Sequence, residues 1–290
     1  MESSSNKPKS LAAGWRILRI VVLSYLGLVG LIFFTQRGLI YFPDRYSEER
    51  GRQKAQARSL SPWEEGEVFH GWKAAGDPEA GAILIFHGNA GAGVHRDYLR
   101  DLFRDIPALE GRSVYIMEYP GYGFRSGRPS ERAFREASRK AWENLSRNYD
   151  RILLVGESIG GGVATWLGAE KSAEALLLIT PFDRLANVAA YHYPWLPARL
   201  LLRDRFANDR HLEGFSGPVA FVVAGSDQVI PTKFARALYE GYAGPKIYRL
   251  QEGADHNTIY YGPGLSFWEE VGDFLTGPTE ADGEGEGENI

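Results

Sequence analysis

Hydrophobic and polar positions follow three different patterns along this chain. Residues 20–34 carry no charge and are apolar on every side, broken only by Ser24, Tyr25 and two glycines. Such a run predicts a helix, but not an amphipathic one lying on a protein surface. Residues 44–61 are dominated by charge and predict a surface connection with helical character. Beyond them, short apolar runs alternate with longer amphipathic ones. The short runs predict strands over 67–72, 82–86, 113–117, 151–155, 175–179, 219–223 and 246–250. The longer ones predict helices over 95–109, 131–147, 158–169, 232–240 and 265–275. In the first of these Leu99, Leu102, Phe103 and Ile106 fall at helical spacing. Continuous apolar strands alternating with helices imply an α/β fold, a mostly parallel central sheet with helices on both faces. Ligand sites in such folds lie at the carboxyl ends of the strands.

Two stretches break the alternation. Residues 181–217 separate two strands and are too long for a simple crossover. With Tyr191, His192, Tyr193 and Trp195 among them, they predict a small helical cap over the site. Residues 277–290 alternate glycine with acidic side chains, have almost nothing to bury, and read as a disordered tail.

The N-terminal run counts 18 residues from Ile17 to Phe34, near the lower limit for crossing a bilayer, and Arg19 is able to snorkel to the interface. Lys7, Lys9, Arg16 and Arg19 precede it, which by the positive-inside rule leaves the N-terminus in the cytoplasm and the remainder on the other side. The organisation is then a cytoplasmic segment 1–16, a signal-anchor transmembrane helix 17–36, a folded domain 37–276 with its cap, and the tail. A cleaved signal peptide and a buried core helix are the alternatives. The first lacks a good small-x-small cleavage site around Phe33, Phe34, Thr35 and Gln36.

Composition removes several function classes. The chain has 290 residues, 44% hydrophobic and 24% charged, enough for a large core. A net charge of −4 argues against nucleic-acid binding. With no cysteine there is no disulfide framework, thiolate metal site or cysteine nucleophile.

The chemistry centres on Gly156-Glu157-Ser158-Ile159-Gly160, between an apolar strand and the helix that follows. This is the G-x-S-x-G nucleophile elbow: a sharp turn that pushes the serine hydroxyl out from the end of the sheet. Its small residues let strand and helix pass without Cβ clashes. A serine nucleophile needs a base and a group that orients the base, and with this elbow the chain order is serine, acid, histidine. His256, just after strand 246–250, is the candidate base. His211, in the cap, reads as a solvated residue. Asp227, in the loop after strand 219–223, is the candidate acid, with Asp183 as runner-up. Asp255 is a poor candidate because adjacent side chains seldom face each other. The oxyanion hole needs two backbone donors. One is the Ile159 N–H. The other is assigned to Asn89, with Ala90 next to it, in the glycine-rich loop His87-Gly88-Asn89-Ala90-Gly91. His87 reads as a buried loop pin, and Glu157 as a supporting or solvated residue. Tyr122, in Tyr119-Pro120-Gly121-Tyr122-Gly123, and Trp195 are the candidate substrate contacts.

These segments, with Leu39-Ile40-Tyr41-Phe42-Pro43, Ser126-Gly127, Gly225-Ser226-Asp227, Ile230-Pro231 and Asp255-His256-Asn257, run in one order from about Leu39 to Leu275. In that order the chain resembles the membrane-anchored α/β-hydrolases of the Bem46 type, related to the α/β-hydrolase domain-containing 13 and 17 groups. The resemblance implies the α/β-hydrolase fold, a Ser158–Asp227–His256 triad and a signal anchor. It also implies serine hydrolase activity on esters, thioesters or amides. No cofactor or metal is expected. The expected partners are a small or lipid-like acyl substrate and the membrane, not nucleic acid. A non-catalytic binding module on the same fold and a serine aminopeptidase are the competing functions. Serine at 158 excludes a haloalkane dehalogenase, which needs a carboxylate there.

Overall fold

A computed structural model describes residues 7–261 and 264–277. The acidic tail, apart from Gly277, and the first six residues lie outside these. In chain order the strands are β1 (Phe42–Pro43), β2 (Ser61–Glu65), β3 (Val68–Ala74), β4 (Ala82–Phe86), β5 (Ala90–Gly91), β6 (Ser113–Met117), β7 (Ile152–Glu157), β8 (Ala175–Ile179), β9 (Val219–Ala224) and β10 (Lys246–Gln251). The helices are α1 (Lys7–Ile40), α2 (Glu48–Gln56), α3 (Asp97–Arg104), α4 (Glu131–Leu145), α5 (Gly160–Glu170), α6 (Leu185–His192), α7 (Ala198–Leu201), α8 (Asn208–Leu212), α9 (Thr232–Gly241) and α10 (Leu265–Thr276).

Eight strands form one sheet in the order β10-β9-β8-β7-β4-β6-β3-β2. From β10 to β6 all neighbours are parallel; β3 and β2 add an antiparallel edge. The central strands are buried on both faces because successive side chains point to opposite sides. Leu84, Phe86, Leu154, Leu176 and Leu178 meet Phe134, Trp142, Val163, Leu167 and Leu238 from α4, α5 and α9. Ile83, Ile85, Leu153, Val155 and Leu177 meet Leu99, Phe103, Trp268, Val271 and Leu275 from α3 and α10. Each such aliphatic or aromatic side chain contributes on the order of 1.5–3 kcal/mol when removed from water.

The fold class read from the pattern is the one found, with local differences. The helix expected over 95–109 is interrupted. α3 ends at Arg104, and Pro107, which cannot donate to a preceding turn, starts a separate 3₁₀ turn over Pro107–Leu109. β2 was not anticipated: Pro62, Glu64 and Glu65 disguise it, as suits a strand at the edge of a sheet. β1 and β5 pair in parallel, tying the chain after α1 to the loop after β4. The cap region holds α6, α7 and α8.

α1 is longer than the apolar run and is not a core helix. Only 6% of its most apolar window is buried, and Ile17, Ile20, Leu23, Leu31 and Phe34 are exposed. Its second half touches the cap. The Tyr25 hydroxyl donates to the Trp195 carbonyl at 2.8 Å, and Gln36 exchanges hydrogen bonds with the Leu201 carbonyl and the Arg203 N–H. The Arg37 guanidinium grips the buried Asp204 through two bonds of 2.8 and 2.9 Å, and the Tyr41 hydroxyl adds a third.

Candidate active site

Ser158 sits where β7 turns into α5, at φ +53°, a left-handed conformation that a non-glycine residue adopts only under constraint. The constraint comes from both sides of the turn. The Ser158 N–H donates to the Ile179 carbonyl of β8 at 2.8 Å. A Cβ on Gly160 would lie 2.0 Å from the Phe86 carbonyl oxygen, and one on Gly156 would lie 2.5 Å from the Gly161 Cα. No side chain larger than hydrogen fits at either position, so the glycines hold α5 against the strand ends and fix the serine between them.

The ends of β9 and β10 bring the other two residues to it. His256 Nε2 is 3.2 Å from Ser158 Oγ, and His256 Nδ1 is 2.7 Å from Asp227 Oδ2. With Nδ1–H donated to the carboxylate, Nε2 is left as the acceptor for the serine hydroxyl. Asp227 is itself held: its Oδ1 accepts the Val229 and Ile230 N–H groups at 2.8 and 2.7 Å. The Ser226 N–H binds the Ala254 carbonyl and so couples the two loops. Asp255 closes the turn under His256, accepting from the Asn257 and Thr258 N–H groups. Asp183 is elsewhere, just before α6, where its carboxylate accepts from the Arg184 N–H and the Asn187 side-chain amide.

The loop after β4 lies alongside. A Cβ on Gly88 would be 3.7 Å from Ser158 Cβ. Neither the Ile159 nor the Asn89 N–H donates a hydrogen bond within the described residues. Elsewhere Asn89 is held on two sides: its backbone carbonyl accepts the Phe42 N–H and the Tyr122 hydroxyl, and its side-chain amide donates to the Ile40 carbonyl. Tyr122 is therefore reassigned. It is completely buried and braces the Asn89 loop with its hydroxyl instead of facing a ligand. His87 is also buried, its Nδ1 2.7 Å from the Gly88 carbonyl oxygen. Trp195 is half exposed on the cap, beside α1.

Two other readings change. Glu157 is not solvated. Arg96 binds both its carboxylate oxygens, at 2.9 and 3.2 Å, and Tyr98 donates to one of them. Burial alone would raise the Glu157 carboxyl, but the Arg96 guanidinium holds it below its ordinary value and so ionised. His211 is not solvated either. It packs against Thr165 and Arg135, and burial, helped by Arg135, pushes its imidazole down to about 4. Arg96 carries no motif signal and was missed; only its place immediately before the amphipathic α3 hints at a buried role.

A mostly parallel sheet turning into a helix at a strained serine, with an acid and a histidine on the last strand ends, is the α/β-hydrolase fold. A model of the alpha/beta hydrolase family matches residues 83–241, more than half of the chain, and the protein belongs to that family. An uncharacterized protein of Mycobacterium tuberculosis is 33% identical over 268 residues, covering 90% of this chain and 94% of that protein. Lysophosphatidylserine lipase ABHD12 of Macaca fascicularis is 29% identical over 215 residues, 63% of this chain. The chain spans only about half, 53%, of that lipase's length. Among solved structures, the Pyrococcus furiosus esterase Pf2001 superposes with a TM-score of 0.58 at 17% identity, over 81% of this chain and 96% of its own.

Proposed function

We propose that the protein is a membrane-anchored serine hydrolase of the Bem46 type, cleaving carboxylic ester, thioester or amide bonds of lipid-like acyl groups, esters foremost. The observation that carries this reading is the unbroken relay from Ser158 Oγ through His256 to a doubly anchored Asp227. The lipase name of one relative and the esterase name of a structural neighbour agree with it.

In this mechanism Ser158 Oγ attacks the acyl carbonyl carbon while His256 Nε2 takes its proton. Asp227 holds the imidazole in the required tautomer and stabilises the imidazolium. The new oxyanion accepts hydrogen bonds from the Ile159 and Asn89 N–H groups, which have no competing acceptor among the described residues. Collapse breaks the bond to the leaving group, which departs with the proton from His256. Water then attacks the acyl carbon while His256 takes its proton, and collapse breaks the ester bond to Ser158 Oγ, which regains that proton from His256 as the acid leaves. α1 anchors the domain, with its N-terminus in the cytoplasm and the domain on the other side. Retention of the anchor is supported by Tyr25, whose hydrogen bond to the Trp195 carbonyl of the cap a cleavage near Phe34 would remove.

The test is hydrolysis of p-nitrophenyl acyl esters by full-length protein in detergent. Ser158→Ala and His256→Ala are expected to lower kcat/KM by at least about 10⁴-fold with folding intact. Cleavage of amino-acyl amides in preference to all esters would instead make it an aminopeptidase. Equal rates in the wild type and Ser158→Ala would refute the assignment.

A further inference from the structure

An apolar cavity lies between α1 and the cap, and its volume is about 480 Å³. That is within the roughly 300–1,000 Å³ of small-molecule sites. Its walls are Ile32, Phe33, Leu39 and Ile40 from α1 and Leu196 and Leu201 from the cap. Gln36 also lines it, but both ends of its amide are already bonded, to the Phe33 and Leu201 carbonyls and the Arg203 N–H. The walls thus offer hydrocarbon and almost no free polar group, so the matching ligand is hydrocarbon too.

Ser158 and His256 do not line this cavity, but its walls are bonded to both sides of the site. Ile40 and Phe42 hold Asn89 through their carbonyl and N–H groups. On the other side Ala189 lines it from α6, whose last residue, His192, hydrogen bonds the Val229 carbonyl. The Val229 N–H is one of the donors that fix Asp227. The cavity walls and the groups around the serine are thus joined by direct hydrogen bonds on both sides.

The cavity also has a position relative to the bilayer. The Tyr25–Trp195 hydrogen bond lies eleven residues before Gln36, which at 1.5 Å per residue is about 16 Å along the helix. If α1 spans a hydrocarbon core of about 30 Å ending near Gln36, the cap tip reaches about halfway into it. Tyr193, Trp195 and Leu200 are exposed on this part of the cap, an aromatic and apolar surface of the kind that meets a membrane. Leu39, Phe42, Tyr193 and Trp195 line the cavity and are also exposed, so its mouth opens beside the anchor.

We propose that this cavity is the acyl-chain site and that the chain of a membrane-partitioned ester enters it sideways from the leaflet, with the anchor helix as one wall. The proposal rests on the hydrolase and anchor readings above. It makes α1 part of the substrate site and not only a tether.

The test uses full-length protein in phosphatidylcholine vesicles, with palmitoyl and butyryl esters as substrates. Leu201→Trp fills the cavity; Leu200→Trp, on the exposed side of the same helix, is the control. Leu201→Trp is expected to cut kcat/KM on the palmitoyl ester by about tenfold or more and to spare the butyryl ester. Leu200→Trp is expected to spare both. Equal losses on the two esters, or none, overturn the proposal. A second readout needs no turnover. A diazirine-bearing phospholipid in the same vesicles should cross-link residues 32–42 and 189–202 of Ser158→Ala protein, and Leu201→Trp should abolish those adducts. Adducts confined to the outward side of α1, or unchanged by Leu201→Trp, contradict the site. If the wild type cleaves no ester yet the cross-links follow Leu201→Trp, the hydrolase reading fails and the lipid site stands. Equal rates on monomeric palmitoyl ester, given to protein in detergent, would overturn entry from the leaflet.

Discussion

At the scale of single residues, the site is held by groups that never meet the substrate. Ser158 keeps its left-handed backbone because Gly156 and Gly160 leave no room to relax it. Beneath it, Glu157 and Arg96 form a mostly buried pair. Arg96→Met would leave the Glu157 carboxylate with only the Tyr98 hydroxyl, and buried charges without partners are costly. We expect a loss of about 3 kcal/mol in urea unfolding, largely recovered by the double variant Arg96→Met/Glu157→Gln. No loss in the single variant would show the pair to be solvated after all. The contacts among Ser158, Asp227 and His256 were legible in the sequence because strand ends, glycines and chain order each narrow the choice. Tyr122 was not, since a tyrosine in a turn-rich loop reads the same whether its hydroxyl faces a ligand or, as here, the Asn89 carbonyl. Which of the two roles of Glu157 holds, supporting or solvated, was not legible for a related reason: its partner Arg96 is far away in sequence and marked by no motif.

At the scale of elements, the parallel strands were legible because double-sided burial writes continuous apolar runs, as in β7 and β8. β2 was not, because an edge strand is solvated on one side and tolerates Pro62 and charge. The docking of α1 on the cap could not be read either, as it depends on Tyr25, Gln36 and Arg37 meeting residues about 165 positions away. The chain has no cysteine, so its orientation can be tested by single introduced thiols. In intact cells a membrane-impermeant maleimide should label Glu110→Cys, on the exposed surface of the domain, and should label Ser4→Cys only after permeabilisation. The reverse pattern would invert the proposed topology.

At the scale of the whole molecule, buried histidines set the acid limit of stability. Burial, reinforced by Arg125 for His70 and by Arg135 for His211, lowers both imidazoles from 6.5 to about 4. Between those values the unfolded chain binds protons that the folded one refuses, so stability falls as the pH drops from about 6.5 towards 4. The urea midpoint at pH 5 should lie below that at pH 7.5, and His211→Gln should reduce the difference. Identical midpoints would mean that these rings are not held neutral. The same frame that buries these rings holds Ser158, His256 and Asp227 at the ends of three parallel strands. The most direct test of the central claim is to expose full-length protein in detergent to a fluorophosphonate and map the adduct by peptide mass spectrometry. The account requires a single phosphonyl adduct on Ser158, absent from Ser158→Ala and strongly slowed in His256→Ala. Folded wild type that stays unlabelled, or label that persists in Ser158→Ala, would contradict it.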